Sequence, residues 1–469
     1  MVTVVPGTVA REAPPVLTLK KNHIRVAALA VSCGVIAGFT VPTWTIPIIV
    51  IAVILGLYRW RIALIVAVAF GIGAIRGMTS IAGALPDVNE DLRGVVLEEP
   101  TAALRSAVLR LDNGRMVTVY GSYVASIRFG DEIGFRCTEW SWVTRFEKPR
   151  CRVSDVNTFA RGRAGTLRAV LYNTKSWFES SIRRTLPNPE APLLSGLLLG
   201  SRDEIPYELK QDFRISGTSH IVAVSGFNVT IVVALIASML RYLPIPRGAR
   251  LSLTCAAIAG FVMLTGSSPS VVRAGIMGSL VVLGRETGRL ADALHTLMVS
   301  VTVMVVADPA IIASIGFQLS VAATLGLVLL SSRFEKLLSH IPSLFGIRSS
   351  LGTTLAAVVV TQPLITLYFG QISVVAPITN LIILPLIPIA MLVGFCVISL
   401  SAIVPMIAVY IGWIAWAPLT AIIRAVELCA RLPFASVRMG MNTSIAISVI
   451  WAAMVAYAFI QVRKIHEAP

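Results

Sequence analysis

The 469-residue chain is short of charge, with only 14% Asp, Glu, Lys and Arg against 56% hydrophobic residues. Soluble domains carry nearer one quarter charged residues, so a freely soluble protein is excluded. Missing too are G-x-x-x-x-G-K-[ST] and G-x-S-x-G, which excludes a P-loop motor and a nucleophile elbow within these residues. The five histidines, His23, His220, His295, His340 and His466, form no H-x-H or H-E-x-x-H group, so no metal site and no cofactor is assigned. Cysteine is scarce. Of six, Cys33, Cys255, Cys396 and Cys429 fall in apolar runs, where a buried thiol is expected. Cys137 and Cys151 share a polar stretch and are disulfide candidates if that stretch faces an oxidising compartment.

What the chain has in excess is apolar runs. Mean hydropathy is +0.80, and many runs approach the length that crosses a bilayer, which predicts a mainly α, polytopic helical membrane protein. The net charge of +16 suits cytoplasmic loops, anionic lipid or a phosphate-bearing substrate equally. Residues 1–25 read as a cytoplasmic tail ending in Lys20, Lys21, His23 and Arg25. Apolar runs at 26–41, 44–58 and 62–84 make 26–85 a block of three transmembrane helices. Basic residues at 20–25 and 59–61 then place the stretch beyond Leu85 outside the cytoplasm.

Residues 86–160 change character, with ten basic and eleven acidic residues among short β-type runs at 94–97, 103–111, 116–120 and 132–136. Turn signals at Asp112-Asn113-Gly114 and Gly130-Asp131 suggest a small extracytoplasmic β-barrel, OB-like in kind. Tyr120, Tyr123, Phe129, Trp140 and Trp142 could be base platforms, core packing or membrane contacts. Residues 161–190 form a basic amphipathic helix, with Leu167, Val170, Leu171, Phe178 and Ile182 on one side and Arg161, Arg163, Arg168, Lys175, Arg183 and Arg184 between. It reads as an interfacial helix, as a basic entrance that gathers phosphates, or as both.

From 191 to 461 lies a second membrane domain, with a tail at 462–469. Residues 193–200 are too short to span and read as a buried half-helix. Runs at 215–240, 251–265, 271–283, 293–306, 311–330, 351–369, 374–400, 403–423 and 444–460 bring the expected total to about twelve passes. Arg424, Arg431 and Arg438 break the alternation of basic loops, which points to a broken helix at 374–400, where Pro377, Pro385 and Pro388 fall.

Polar groups recur where hydrocarbon is expected. Gly217 to Asn228 reads G-T-S-H-I-V-A-V-S-G-F-N, just after Asp212 and Arg214. On a single helix Thr218, Ser225 and Asn228 would form a polar stripe with His220 at its edge, serving either as ordinary helix glue or as part of a site. Ser268-Pro269 is a helix start with a capping hydroxyl, and Arg273 sits one turn in. That suits a phosphate or carboxylate, although Arg273 could equally pair with Asp212 or snorkel. Ser270, Ala274 and Gly278 make a small-residue ridge. Gln318, Gln362 and Asn380 add amides to apolar runs.

Several long motifs then stand in order: G-L-L-L-G-S-R-D-E-I-P at 196–206, F-R-I-S-G-T-S-H-I-V-A-V-S-G-F-N at 213–228, T-G-S-S-P-S-V-V-R-A at 265–274, G-F-Q-L-S at 316–320, Y-F-G-Q-I-S at 368–373 and N-L-I-I-L-P at 380–385. Together they resemble the signature of the ComEC competence proteins. The resemblance implies an inner-membrane channel, not an enzyme, that passes single-stranded DNA into the cytoplasm during natural transformation. It implies a separate DNA receptor, a cytoplasmic ATPase or helicase and single-strand-binding proteins; many members end in a metallo-β-lactamase-like domain not found in these residues, so a nuclease is expected on another chain or not at all. Asp212, Arg214, His220, Ser225, Asn228, Ser268, Arg273, Gln318, Gln362 and Asn380 would line the path or gate. Many members have histidine where this chain has Asn228, which argues against acid–base work there. The same residues would also suit a secondary transporter of a small anion, and Asp212 with His220 leaves an enzyme acting on lipid-linked substrates as a third reading.

Overall fold

The computed structural model describes residues 91–451, except 97–105, 113–115, 142–149, 161–165, 342–345 and isolated positions elsewhere. The expected tails and the three helices of 26–85 therefore lie outside the described residues, as do Arg161 and Arg163. The chain divides into two compact units, Met1–Ala82 with Val301–Pro309, and Gly83–Ser300 with Ala310–Pro469. The second holds nearly all of the described residues.

Strands β1 (Asp91–Val96), β2 (Ser106–Leu111), β3 (Met116–Tyr120), β4 (Glu132–Ser141) and β5 (Arg150–Ala160) close into a barrel in the order β1-β2-β3-β5-β4. All pairings are antiparallel except β3 with β5. This is the OB-like barrel expected, and closure leaves no free strand edge. Alternate residues point inward: Val96, Leu109, Val119, Ile133, Phe135 and Val153 fill the core, with Cys137 and Cys151 among them. Those two are joined as a disulfide, with Cα atoms 5.7 Å apart. Strand β5 was not among the expected runs. Arg150, Arg152 and Asp155 hide its inward set of Cys151 and Val153, and shifts of register against β4 break the alternation further along.

Of the candidate aromatics Tyr123 and Trp142 lie outside the described residues, and two of the others are seen to pack. Trp140 lies against the barrel core. Phe129 stacks on Tyr172, ring centroids 4.6 Å apart, and so fastens the barrel to the next helix. That helix, α1 (Thr166–Thr185), exposes Val170 but sinks Ile182 into the main helical core, so its far end is anchored in protein as well as amphipathic.

The helical part continues with α2 (Glu190–Leu199), α3 (Tyr207–Ile215), α4 (Ser219–Val222), α5 (Gly226–Arg241), α6 (Arg247–Leu264), α7 (Pro269–Glu286) and α8 (Ala293–Ala307). Then come α9 (Ile315–Leu337), α10 (Ile347–Phe369), β6 (Gln371–Ser373), α11 (Ala376–Ile383), α12 (Leu386–Ile403), α13 (Pro405–Ala430) and β7 (Ser436–Arg438). Among the described residues α6, α9, α10, α12 and α13 are five helices long and apolar enough to cross a membrane, and α2, α5 and α8 are shorter apolar helices. On α13, Met406, Tyr410 and Trp413 turn outward, the apolar exterior that lipid requires of a membrane protein.

Helix α2 is apolar on every side and wholly buried, as a half-helix inside a bundle must be. Helices α9 and α10 meet so closely at Gly326 that a Cβ there would stand 2.4 Å from the Ala356 carbonyl oxygen. The break expected in 374–400 falls at Leu384 and Pro385, between α11 and α12.

The run at 215–240 is not one helix. It divides into α3, α4 and α5, because Gly217 takes a left-handed φ of 72° and Ser225 an extended conformation. A side chain at Gly217 would collide with Ala376 and Ser373. The polar stripe of Thr218, Ser225 and Asn228 therefore does not exist as a helix face.

Candidate functional site

The segment between α4 and α5 turns its polar groups inward at a helix start. Ser225 is the N-cap of α5: its Oγ accepts the Asn228 backbone N–H at 3.4 Å and donates to Asn228 Oδ1 at 3.1 Å. Asn228 is 1% exposed, and its Nδ2 donates to the Leu197 carbonyl on α2 at 3.0 Å. The amide's oxygen closes the cap of α5 and its nitrogen braces α5 against α2. Thr218 bonds locally as well, to the Ser216 hydroxyl 2.7 Å away, while His220 is exposed.

Arg273 on α7 reaches across to the same helix start. It is 6% exposed, and its Nη2 comes within 3.1 Å of where a Cβ on Gly226 would be, so a larger residue there would push the guanidinium aside. Its Nε donates to Ser320 Oγ on α9 at 2.9 Å, and Nη1 lies 3.2 Å from Met277 Sδ. Neither Asp212 nor any other carboxylate is within ion-pair distance among the described residues. The small-residue ridge makes this approach feasible: Ala274 faces Gly226, and Gly278 lies under Val233 of α5.

Ser268 precedes Pro269 at the first position of α7, as expected, but its hydroxyl does not cap the helix. It lies 3.4 Å from Ser270 Oγ. The start of α5 at Gly226 thus lies beside a buried guanidinium. The positive end of that helix dipole adds to the arginine's charge instead of offsetting it. A buried cation normally acquires a partner of opposite charge. The arrangement can receive an anion, and phosphate or carboxylate oxygens match the guanidinium fork.

The other predicted residues lie elsewhere. Gln318 is held at both ends, donating to the Ile312 carbonyl at 2.9 Å and accepting from Tyr368 Oη at 2.8 Å. Gln362 donates to Thr366 one turn along α10. Asn380 is buried with its Oδ1 unpaired. Asp212 on α3 lies near Glu427 and Arg431; burial, then the Glu427 carboxylate, raise its pKa above the ordinary carboxylate value. Arg214 is exposed and lines a cavity of its own. Of the basic entrance, Lys175 pairs with Glu179 at 4.0 Å and Arg183 with Glu204, while Arg184 is exposed. Among the described residues no group of His, Cys, Asp and Glu could hold a metal.

Reading the sequence missed Ser320 as a member of the site and gave Gly226 only as a point of close backbone approach. Ser320 closes the G-F-Q-L-S motif, in which the glutamine drew attention first. Gly226 lies in S-G-F-N, where glycine permits close approach, but the approaching group is 47 residues away in sequence.

A family model described as "Competence protein" matches residues 197–464. The chain is 27% identical over 225 residues to "ComE operon protein 3" of Bacillus subtilis (strain 168), covering 46% of this chain and 28% of that protein. It is 26% identical over 228 residues to "Uncharacterized protein YcaI" of Escherichia coli (strain K12), covering 45% and 29%. The matched stretch spans less than a third of either relative. No solved structure matches.

Proposed function

The chain belongs to the competence protein family, and from that premise we propose that it is the membrane conduit through which single-stranded DNA passes into the cytoplasm during natural transformation. The observation that carries this reading is Arg273, a buried cation at the start of α5 with no acid in ion-pair reach among the described residues. A polyanion moving through an apolar protein needs positive points that it can occupy and leave. A guanidinium fixed by Ser320 beside the positive end of α5 is one such point.

The remaining parts fit around it. The chain does no bond-breaking of its own in this reading. Force comes from a separate cytoplasmic ATPase or helicase, with single-strand-binding proteins receiving the strand. DNA arrives from a separate receptor. The membrane is the inner one, and the barrel lies outside the cytoplasm, in keeping with its disulfide.

Deleting the gene in a transformable host should abolish transformation while DNA still binds at the surface. Normal transformation by the deletion strain would refute the proposal. A second reading, a secondary transporter of a small anion, draws on the broken pair α11 and α12, a feature of carriers with a midplane site. Gradient-driven anion accumulation in reconstituted vesicles, with transformation untouched, would favour it.

A further inference from the structure

A second cationic site lies apart from Arg273, in a cavity of about 620 Å³ between α3 and the two-stranded ribbon of β6 and β7. Tyr207, Gln211 and Arg214 line it from α3, and Phe369, Gln371 and Arg438 from the end of α10 and the ribbon. Positions 207, 211 and 214 recur at helical spacing and share one face. Glu208 and Asp212 fall off that face, Asp212 toward Glu427 and Arg431. Among the described residues no acidic side chain lines the cavity. Neither Arg214 nor Arg438 has an ion-pair partner among the described residues.

The walls are fixed. Gln371 is 6% exposed and donates from Nε2 to the Arg214 carbonyl at 3.3 Å, which ties the end of α3 to the ribbon. On the ribbon Gln371 stands opposite Arg438, so the two arginines are held to one framework. The Met439 N–H donates to the Gly370 carbonyl at 2.9 Å and closes the base. Two guanidiniums, two amides and two exposed rings then face one space, whose volume falls within the ~300–1,000 Å³ of ordinary ligand sites. Guanidinium forks match phosphate oxygens, rings stack on bases of any sequence, and amides can bond base edges.

We propose that this cavity seats a phosphodiester segment of single-stranded nucleic acid, with Arg214 and Arg438 on the phosphates and Tyr207 and Phe369 against the bases. The inference rests on the DNA-uptake reading and adds to it a station in which Arg214 and the Y-F-G-Q-I-S segment are joined by Tyr207, Gln211 and Arg438, which lie outside the motifs. A lipid headgroup carries the same phosphate, and the cavity lies at the ends of two candidate spans, α10 and α13. The presence of two aromatic rings favours the nucleic acid, because a headgroup offers them no planar partner.

The test is the binding of a fluorescent oligothymidylate to the purified full chain in phosphatidylcholine nanodiscs. The double variant Arg214→Gln/Arg438→Gln should bind about tenfold more weakly, and its salt dependence should fall by about 0.7 in slope for each arginine lost. Arg214→Lys/Arg438→Lys, which keeps the charge, should retain the slope, and Arg285→Gln should bind as the wild type does. Tyr207→Ala should weaken the normal oligomer more than an abasic one. Unchanged affinity in the Gln double variant would overturn the proposal, as would a wild type that does not bind. So would a double variant that loses only its preference for phosphatidylglycerol vesicles, since the seat would then belong to lipid. The uptake reading fails separately, by normal transformation of the deletion strain.

Discussion

Asn228 on α5 donates its side-chain amide to the backbone carbonyl of Leu197 on α2, 3.0 Å away, and this bond joins two helix ends 31 residues apart. Replacing Asn228 by Ala leaves that end of α2 and the Ser225 hydroxyl without their partner inside the protein. A loss of ~1–3 kcal/mol is expected for an orphaned buried group. Thermal melts of the purified chain would show it as a lower midpoint. An unchanged midpoint would mean that the bond is not a brace.

Arg273→Gln should lower transformation by about ten- to a hundredfold, the equivalent of ~1.5–3 kcal/mol for a hydrogen bond to a charged group. Membrane abundance should not fall, because an unpaired buried charge has been removed. Arg273→Lys should recover only part, since a point charge cannot reproduce the fork that reaches both Ser320 and Gly226. Gly226→Ala should resemble Arg273→Lys, its methyl carbon falling 3.1 Å from Nη2. Full transformation by Arg273→Gln would remove Arg273 from the path.

The Cys137–Cys151 disulfide closes a loop with a sequence separation of 14. Chain-entropy arguments give a loop of about this size ~3 kcal/mol of stabilisation. Limited proteolysis of the full chain with and without reductant should show faster cleavage within 91–160 after reduction. The Cys137→Ala/Cys151→Ala variant should be insensitive to the reductant.

Asp212 gives a stability change of defined sign. Burial and the Glu427 carboxylate raise its pKa, against the opposing pull of Arg431. An acid with a raised folded pKa contributes stability that is fully present below the unfolded pKa of 3.8 and is lost as pH rises through the folded value. Asp212→Asn should therefore melt higher than the wild type at neutral pH and converge with it in acid. A variant that melts lower at neutral pH would mean that the attraction to Arg431 dominates.

Much of this architecture was legible because it is local. The apolar run at 351–369 becomes α10, the prolines at 377–388 do break their helix, and alternation of Val and Leu around Asp112 marks a hairpin. What could not be read was set by partners far along the chain. Residues 216–225 look like a helix with a polar stripe until Gly217 is pressed against Ser373 and Ala376. Asp212 looks like a counter-ion for Arg273 until Ser320 takes its place. The charges of β5 conceal a strand whose inward residues are recognised only by the barrel they complete.

The β6–β7 ribbon has a mechanical consequence. It joins the chain just beyond α10 to the chain just beyond α13, through three paired positions and the added bonds of Met439 to Gly370 and Val374 to Ala435. Those two spans are tied at this end, as the legs of tweezers are. An engineered cross-link across the clasp should therefore leave any parting of the two free, and the same link at the far end should hinder it.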